Sequence, residues 1–449
     1  MKRLLIIAGL GLAATASTAQ AQLCDGELVE VTEYAGRASY DVVLAAHGGE
    51  SLVAWSVLDD DGWPSTELTL SHVAADGTVA ATRSGFVGFD TVGGIGPMVS
   101  SGAVIVHPST DHEVGVLLRE PSGAVRARVH LDDYRPYGRS VARAAFDGAQ
   151  FVVTWVAGPP EASVLKAVRF DAQGAQLDPT PRVLGPAFAY APWTGSARIG
   201  GATWVLWSTF ASSDAEFVAG AAPDLVGVRI ADDGQVLDPM PVVLVPGGRG
   251  IAMAANGDAG LVLVMAPDGG VQAMTLEPDG GVTPGTQVAF ADGEFLLELL
   301  PAPGTDGFTL WTHRETFTES PVRVGGQIAG RAISRAGQIA AAPSMTLAGQ
   351  GGAITTDGHD YVLVTVDETI TGAAGEQRLT LRRFRGGTFS PITVETTLAA
   401  APLTLTTTQF CSGPYEPYDG CQAGGPAGAG TMGLIGLGLL ALRRRPRRR

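Results

Sequence analysis

The strongest candidate for metal chemistry is His107-Pro108-Ser109-Thr110-Asp111-His112-Glu113, two imidazoles and two carboxylates within seven residues. Imidazole nitrogens and carboxylate oxygens are donors that a divalent ion accepts, so His107, Asp111, His112 and Glu113 are the candidate ligands. They fall in a polar gap between two β-rich runs, where solvated loop side chains are expected, and no resident metal or other cofactor is assigned. Asp59-Asp60-Asp61-Gly62 has the charge for calcium without the alternate-residue ligand spacing. His359-Asp360 stands at a turn entering a strand and reads as structural. Neither His-Glu-x-x-His nor Gly-x-Ser-x-Gly occurs, and no cysteine pair has zinc spacing. With 45 acidic residues, chance carboxylate pairs are numerous, so no catalytic residue is assigned.

The elements around these residues are β-strands in repeated order. A short apolar run recurs as Leu52-Val53-Ala54-Trp55, Ala103-Val104-Ile105-Val106, Phe151-Val152-Val153-Thr154-Trp155 and Trp204-Val205-Leu206-Trp207, then as Leu261-Val262-Leu263-Val264, Phe308-Thr309-Leu310-Trp311 and Tyr361-Val362-Leu363-Val364. Each run is followed by a variable polar gap, a second β-rich run, a Gly turn and a closing strand. The turns include Asp76-Gly77, Gln173-Gly174, Asp233-Gly234 and Asp279-Gly280, pairs that accept the positive φ of tight hairpins. Two closing segments are near-copies, Leu177-Asp178-Pro179-Thr180-Pro181-Arg182-Val183-Leu184 and Leu237-Asp238-Pro239-Met240-Pro241-Val242-Val243-Leu244. Their prolines suit an outer edge strand.

Copies begin roughly every 46 to 60 residues, and about seven fit between Tyr40 and Leu398. A further strand ahead of each apolar run, as at 141–146, makes four per copy, the size of a propeller blade. The expected fold is therefore all-β, a β-propeller of about seven four-stranded blades. Two or three β-sandwich domains are the rival, against which the even spacing argues. Trp55, Trp155, Trp207 and Trp311 end apolar runs and are assigned to packing between blades. Propeller signatures such as a Trp-Asp dipeptide or a Ser-x-Asp-x-Gly-x-x-Trp box are absent. The gaps 208–224 and 313–325 are expected to project from one face as a recognition surface.

Both ends carry signals. Lys2 and Arg3 precede an apolar stretch, 4–16, and Ala19-Gln20-Ala21 is a small-x-small cleavage site. Cleavage after Ala21 starts the mature chain at Gln22. Acylation of Cys24 is the alternative, against which the preceding residues argue. At the other end, Tyr418-Asp419-Gly420-Cys421 leads to a small-residue spacer, 422–430, a Leu/Gly-rich run, 431–442, and six arginines among the last seven residues. The 20 residues 423–442 are long enough to span a bilayer as a helix, with the arginines held on the cytoplasmic side. The expected plan is a signal helix in 1–21, a ring-closing strand in 22–39, repeats in 40–400, a Thr/Pro/Gly-rich stalk in 401–421 and a hydrophobic helix in 422–449.

The order Cys, Gly/Ala spacer, short Leu/Gly span and arginine cluster resembles the MYXO-CTERM sorting tail of exported myxobacterial proteins. Pro446 interrupts the arginine cluster without removing its charge. The resemblance covers about 30 residues. It implies that Cys421 marks the processing site of a membrane sorting protease and that the product reaches the cell surface. A permanent tail anchor is the other reading.

Three cysteines, all exported, sit in a disulfide-permissive setting. With Cys421 used for sorting, Cys24 and Cys411 remain, flanking the repeats, and are the candidate ring-closing pair. The rival is a Cys411–Cys421 bridge.

Charge narrows the partners. Removing the eight cations of the two terminal signals leaves 22 basic against 45 acidic residues, a net of −23. Such a surface repels phosphate backbones, so nucleic acid is excluded as a partner. The expected partners are the export machinery, the sorting protease, the membrane through the unprocessed tail, and an unidentified extracellular ligand. The function expected is an exported binding or scaffold module. The alternatives are a secreted hydrolase or lyase acting on polysaccharide or peptide, and a structural envelope or matrix component.

Overall fold

A computed structural model describes residues 27–412, apart from 36–38, 59–63, 87–93, 96–102, 109–113, 120–124, 133–142, 147–149, 160–161, 188–192, 210–222, 318–322, 372–373, 387–390 and 392–394. The alternation of apolar runs and Gly turns folds into antiparallel sheets, six of four strands and one of five. In chain order they cover 39–86, 94–132, 143–186, 194–245, 249–288, 294–348 and 350–412, and are called sheets 1 to 7 below. Within each of the first six the strands follow one another side by side in sequence order. No α-helix occurs among the described residues. The expected signal helix, Ala21, Cys24, Cys421 and the C-terminal run lie outside them.

The first strands of the sheets adjoin one another in a closed order, each beside the next and that of sheet 7 beside that of sheet 1. They therefore surround a common axis, and the sheets radiate from it as in a β-propeller. The fifth strand of the last sheet is Glu27–Ala35, which lies next to Thr396–Ser412. The latter runs on into the segment read from sequence as a stalk.

Apolar burial sits between consecutive sheets. Phe151, Val153 and Trp155 pack with Val129 and Leu131 of sheet 2, while Val152, Val156 and Leu165 pack with Val205 and Trp207 of sheet 4. Alternate residues of one strand thus serve two interfaces. This is why Gln150–Ala157 is buried at every position and reads as a continuous apolar run rather than an alternating one. The same arrangement joins sheets 4 and 5, 5 and 6, 6 and 7, and 7 and 1. Trp55, Trp155, Trp207 and Trp311 are all buried in it.

Between sheets 6 and 7, Trp311 meets Tyr361 edge to face at 5.2 Å, and the Tyr361 hydroxyl lies 2.6 Å from Thr309 Oγ1. Burial pushes the Tyr361 phenol up to about 12. A folded pKa above the ordinary 10 means that this stabilisation is complete below pH 10 and is lost as pH rises through 12. In a spectrophotometric titration, Tyr361→Phe should therefore remove a late-ionising tyrosine near pH 12.

The interface of sheet 7 with sheet 1 is polar at its edge. Arg383 Nη2 donates to Ser51 Oγ at 2.8 Å, Gly49 N donates to Asp357 Oδ2 at 3.2 Å, and Thr396 Oγ1 donates to the Gly77 carbonyl at 2.6 Å.

Two expectations change. Pro179, Pro181, Pro239 and Pro241 lie in the bends before the outer strands Arg182–Pro186 and Val242–Val245, not within them. Those bends turn Asp178 and Asp238 inward, which a continuous edge strand would not do. The gap 313–325 is largely a β-hairpin, since Phe308–Phe317 pairs with Arg323–Ile333 through Glu315↔Gly326 and Thr316↔Gly325.

Candidate binding site at the axial mouth

Strand direction sorts the connections onto two ends. The chain enters each first strand at the end where the second strand finishes, because the two are antiparallel. The strands flanking 133–142 and 210–222 end there too. Tight Gly turns such as Gly48-Gly49 and Gly200-Gly201 occupy the opposite end. Side chains at the start of the first strands therefore frame one mouth of the axis.

At that mouth three consecutive sheets are irregular. The pairing of first with second strand shifts between Gly250 and Ala252, between Leu296 and Glu298, and between Gln350 and Ala353. The same pairing in sheets 1, 3 and 4 is unbroken. Bulges kink a strand and re-aim its side chains, and they collect at rims and binding sites. Here they follow an insertion of one residue in each of the three strands, which apolar patterning does not reveal.

The groups gathered there are aromatic and charged. Phe295 is 52 % exposed and stacks on the His313 ring at 5.4 Å. Trp193 lies against the first strands of sheets 4 and 5. A Cβ on Gly250 would come within 2.2 Å of its ring, and one on Gly195 within 2.8 Å, so those glycines make the indole's seat. Arg249, the first residue of its strand, has no hydrogen-bond partner for Nε among the described residues.

Glu298 and Arg143 occupy equivalent positions. Each pairs with the same level of its second strand, Glu298 with Trp311 and Arg143 with Thr154, and sheets 6 and 3 are not neighbours. They therefore face each other across the axis. Glu298 is partly exposed yet crowded by protein, and Oε1 accepts from Leu299 N at 3.1 Å. Burial pushes its carboxyl above the ordinary 4.5, and the Arg143 charge pulls it partly back. Because the folded pKa is raised, holding the carboxylate ionised costs stability, and stability falls as pH climbs through the folded value. Glu298→Gln should accordingly raise the thermal midpoint at pH 7, with the difference closing below pH 4.5.

A second charged cluster is structural. Arg169 in sheet 3 donates from N, Nε and Nη2 to Asp178 at 3.0, 3.0 and 2.9 Å. It continues to the Asp232 and Asp233 carbonyls of sheet 4 at 2.8 and 3.1 Å. Gly234, at φ +86°, leaves it room, since a Cβ there would lie 2.0 Å from Nη2. Arg229 and Asp238 repeat the pair one sheet on, with N and Nε to Oδ2 at 2.8 and 3.1 Å. The near-copied Leu-Asp-Pro segments were its mark in the sequence.

Of the sequence candidates, His107 lies in the strand Ala103–Pro108, paired with Gly115 and near its mouth end. Asp111, His112 and Glu113 lie outside the described residues, as do 59–62. Among the described residues no group of three or more metal-capable side chains converges. His359 N and Asp360 N donate to Asp357 Oδ1 at 2.9 and 2.8 Å, a hairpin cap. Cys411 lies in Thr396–Ser412. No helix among the described residues is long and apolar enough to cross a membrane. The mouth residues went unread in the sequence, although a lone acid in the apolar run Phe295-Leu296-Leu297-Glu298-Leu299-Leu300 was a signal for one of them.

No protein-family model matches the chain, and no curated protein matches it. Solved structures similar to it include a six-bladed β-propeller fungal lectin from Aleuria aurantia, described with a fucose recognition mode. That structure is 10% identical over 70% of this chain and 97% of its own, with a TM-score of 0.39. The SapL1 lectin, in complex with alpha methyl fucoside, is 12% identical over 71% of this chain and 97% of its own, with a TM-score of 0.40. A prolyl endopeptidase is 15% identical over 77% of this chain, with a TM-score of 0.43, and the chain spans 46% of its length.

Proposed function

We propose that the chain is an exported, surface-sorted seven-bladed β-propeller that works as a binding module, taking its extracellular ligand at the axial mouth framed by Trp193, Arg249, Phe295 and Glu298. The observation that carries this reading is the run of three bulged first strands at one end of the axis, beside an exposed Phe295 that contributes little to the core. The charged group acting on Glu298 is a guanidinium, which suits holding an anionic group rather than pairing two acids for hydrolysis. The test is a thermal-shift screen of the mature domain against oligosaccharides, peptides and small metabolites, run in parallel on wild type and Phe295→Ala. Stabilisation lost in the variant supports the mouth. Stabilisation equal in both moves the site elsewhere and overturns the assignment.

Export and sorting rest on the terminal sequences. The proposed product starts at Gln22, ends near Cys421 after the sorting protease acts, and carries a Cys24–Cys411 bridge. Intact mass of the protein from its native host, before and after reduction, tests all three. A mass that retains the terminal arginines removes the sorting claim.

A further inference from the structure

The ligand class follows from the axial level that holds Arg143 and Glu298, an inference that rests on the mouth being the binding site. Strand registers place one residue of each first strand at this level. They are Val43 opposite Ala54, Gly94 opposite Val106, Arg143 opposite Thr154, Gly195 opposite Leu206, Ala252 opposite Leu263, Glu298 opposite Trp311 and Ala353 opposite Val364. Five of the seven are glycine, alanine or valine, and the other two carry opposite charges on sheets that do not adjoin. Arg143 is exposed, and its charge reaches Glu298 through space rather than as a contact pair. The Glu298 carboxylate accepts its one described hydrogen bond from its own neighbour's backbone.

A gap bounded by a cation on one side and an anion on the other, with the Trp193 indole over Gly195 and small side chains at the remaining positions, complements a molecule whose own ends are oppositely charged. We propose that this level binds a zwitterion of the amino-acid or short-peptide type, its carboxylate on the Arg143 guanidinium and its ammonium on Glu298. Arginine offers a planar fork to a carboxylate, and a crowded carboxylate gains most from a cation brought to it. The bulge at Leu296/Glu298 sets the acid on this level, and Ala252 and Ala353 on the flanking first strands leave space beside it.

Calorimetric titration of the mature domain with β-alanine, glycylglycine and 6-aminohexanoate tests this, because the series varies the separation of the two charges. Acetate and methylammonium are the single-charge controls. At least one zwitterion should bind ten times more tightly than either control. Glu298→Gln and Arg143→Gln should each weaken it at least tenfold, equivalent to about 1.4 kcal/mol. Near-UV circular dichroism matching wild type confirms that the variants fold. The proposal is overturned if no zwitterion exceeds the controls, or if binding survives in Glu298→Gln. An uncharged ligand lost in Phe295→Ala but kept in Glu298→Gln would leave the mouth as the site and remove the zwitterion. Zwitterion binding sensitive to Glu298→Gln but not to Phe295→Ala would keep this level and narrow the site to it.

Discussion

Replacing Asp178 with alanine should cost the domain about 3–5 kcal/mol of unfolding free energy, because it strands a buried guanidinium. Asp178 is 1% exposed and accepts three bonds from Arg169 and two from Arg182, the latter at 3.1 and 3.0 Å. Arg169 is 5% exposed, and its remaining hydrogen-bond partners among the described residues would be neutral, Gln150 and the two turn carbonyls of sheet 4. Those carbonyls carry the damage into the next sheet. Burial alone would push the Asp178 carboxyl up, but hydrogen bonds and charge from Arg169 and Arg182 outweigh it and hold it below 3.8. The pair therefore stabilises fully above the ordinary carboxylate range, and its contribution is lost as pH falls through the depressed value. The gap between variant and wild type should be widest near neutrality and narrow below pH 3.8. Asp238→Ala is the internal comparison. Its partner Arg229 has a side chain 28% exposed, so water can take over, and the loss should be about 1–2 kcal/mol. Urea denaturation of both variants decides the matter, and an Asp178→Ala cost no greater than that of Asp238→Ala would refute the buried-pair account.

Trp311→Ala should be the other severe change, at about 3–5 kcal/mol. The indole is 0% exposed at the interface of sheets 6 and 7, edge-on to Tyr361 and against Gly330, where an added Cβ would stand 3.1 Å from its ring. Truncation leaves a cavity with rigid walls, because strands on both sides are tied into their own ladders. The Tyr361 ring would lose its neighbour, so the near-UV spectrum should change along with the urea midpoint. Phe295→Ala, which removes a side chain of similar chemistry that is 52% exposed, should shift the midpoint by less than about 1 kcal/mol. Equal losses at the two positions would mean that the interface is not packed as described.

These two sites differ in how far they could be read beforehand. Trp311 closes an apolar run, and a strand buried on both faces needs apolar residues at successive positions, so its burial follows from one-dimensional pattern. The strands, their number per copy and the Gly turns were legible for the same reason. Asp171 Oδ1 accepts from Gln173 N at 2.9 Å and Asp233 Oδ1 from Gln235 N at 2.8 Å, local bonds that sequence neighbours predict. Asp178 was visible only as part of a copied segment. Its partner lies nine residues back and points inward because a bend, not a strand, holds the prolines. The 313–325 hairpin was read as a gap because Arg314, Glu315 and Thr316 lack apolar alternation. Glu298 and Arg143 are 155 residues apart in the chain and become partners only when strands of separate sheets share an axis.

The closed order of the first strands has a consequence for how such a chain can lengthen or shorten over generations. Open stacks of repeats tolerate the gain or loss of a unit, since each unit touches only its neighbours and the ends are capped. Here the last sheet is the first sheet's neighbour, through bonds joining residues 308, 319 and 332 positions apart. Losing one copy would bare two apolar faces that no cap covers, and gaining one would force every interface to change angle at once. Tandem duplication or deletion is therefore filtered to whole-circle solutions. Single inserted residues, such as those that bulge the strands at the mouth, leave the closed order intact.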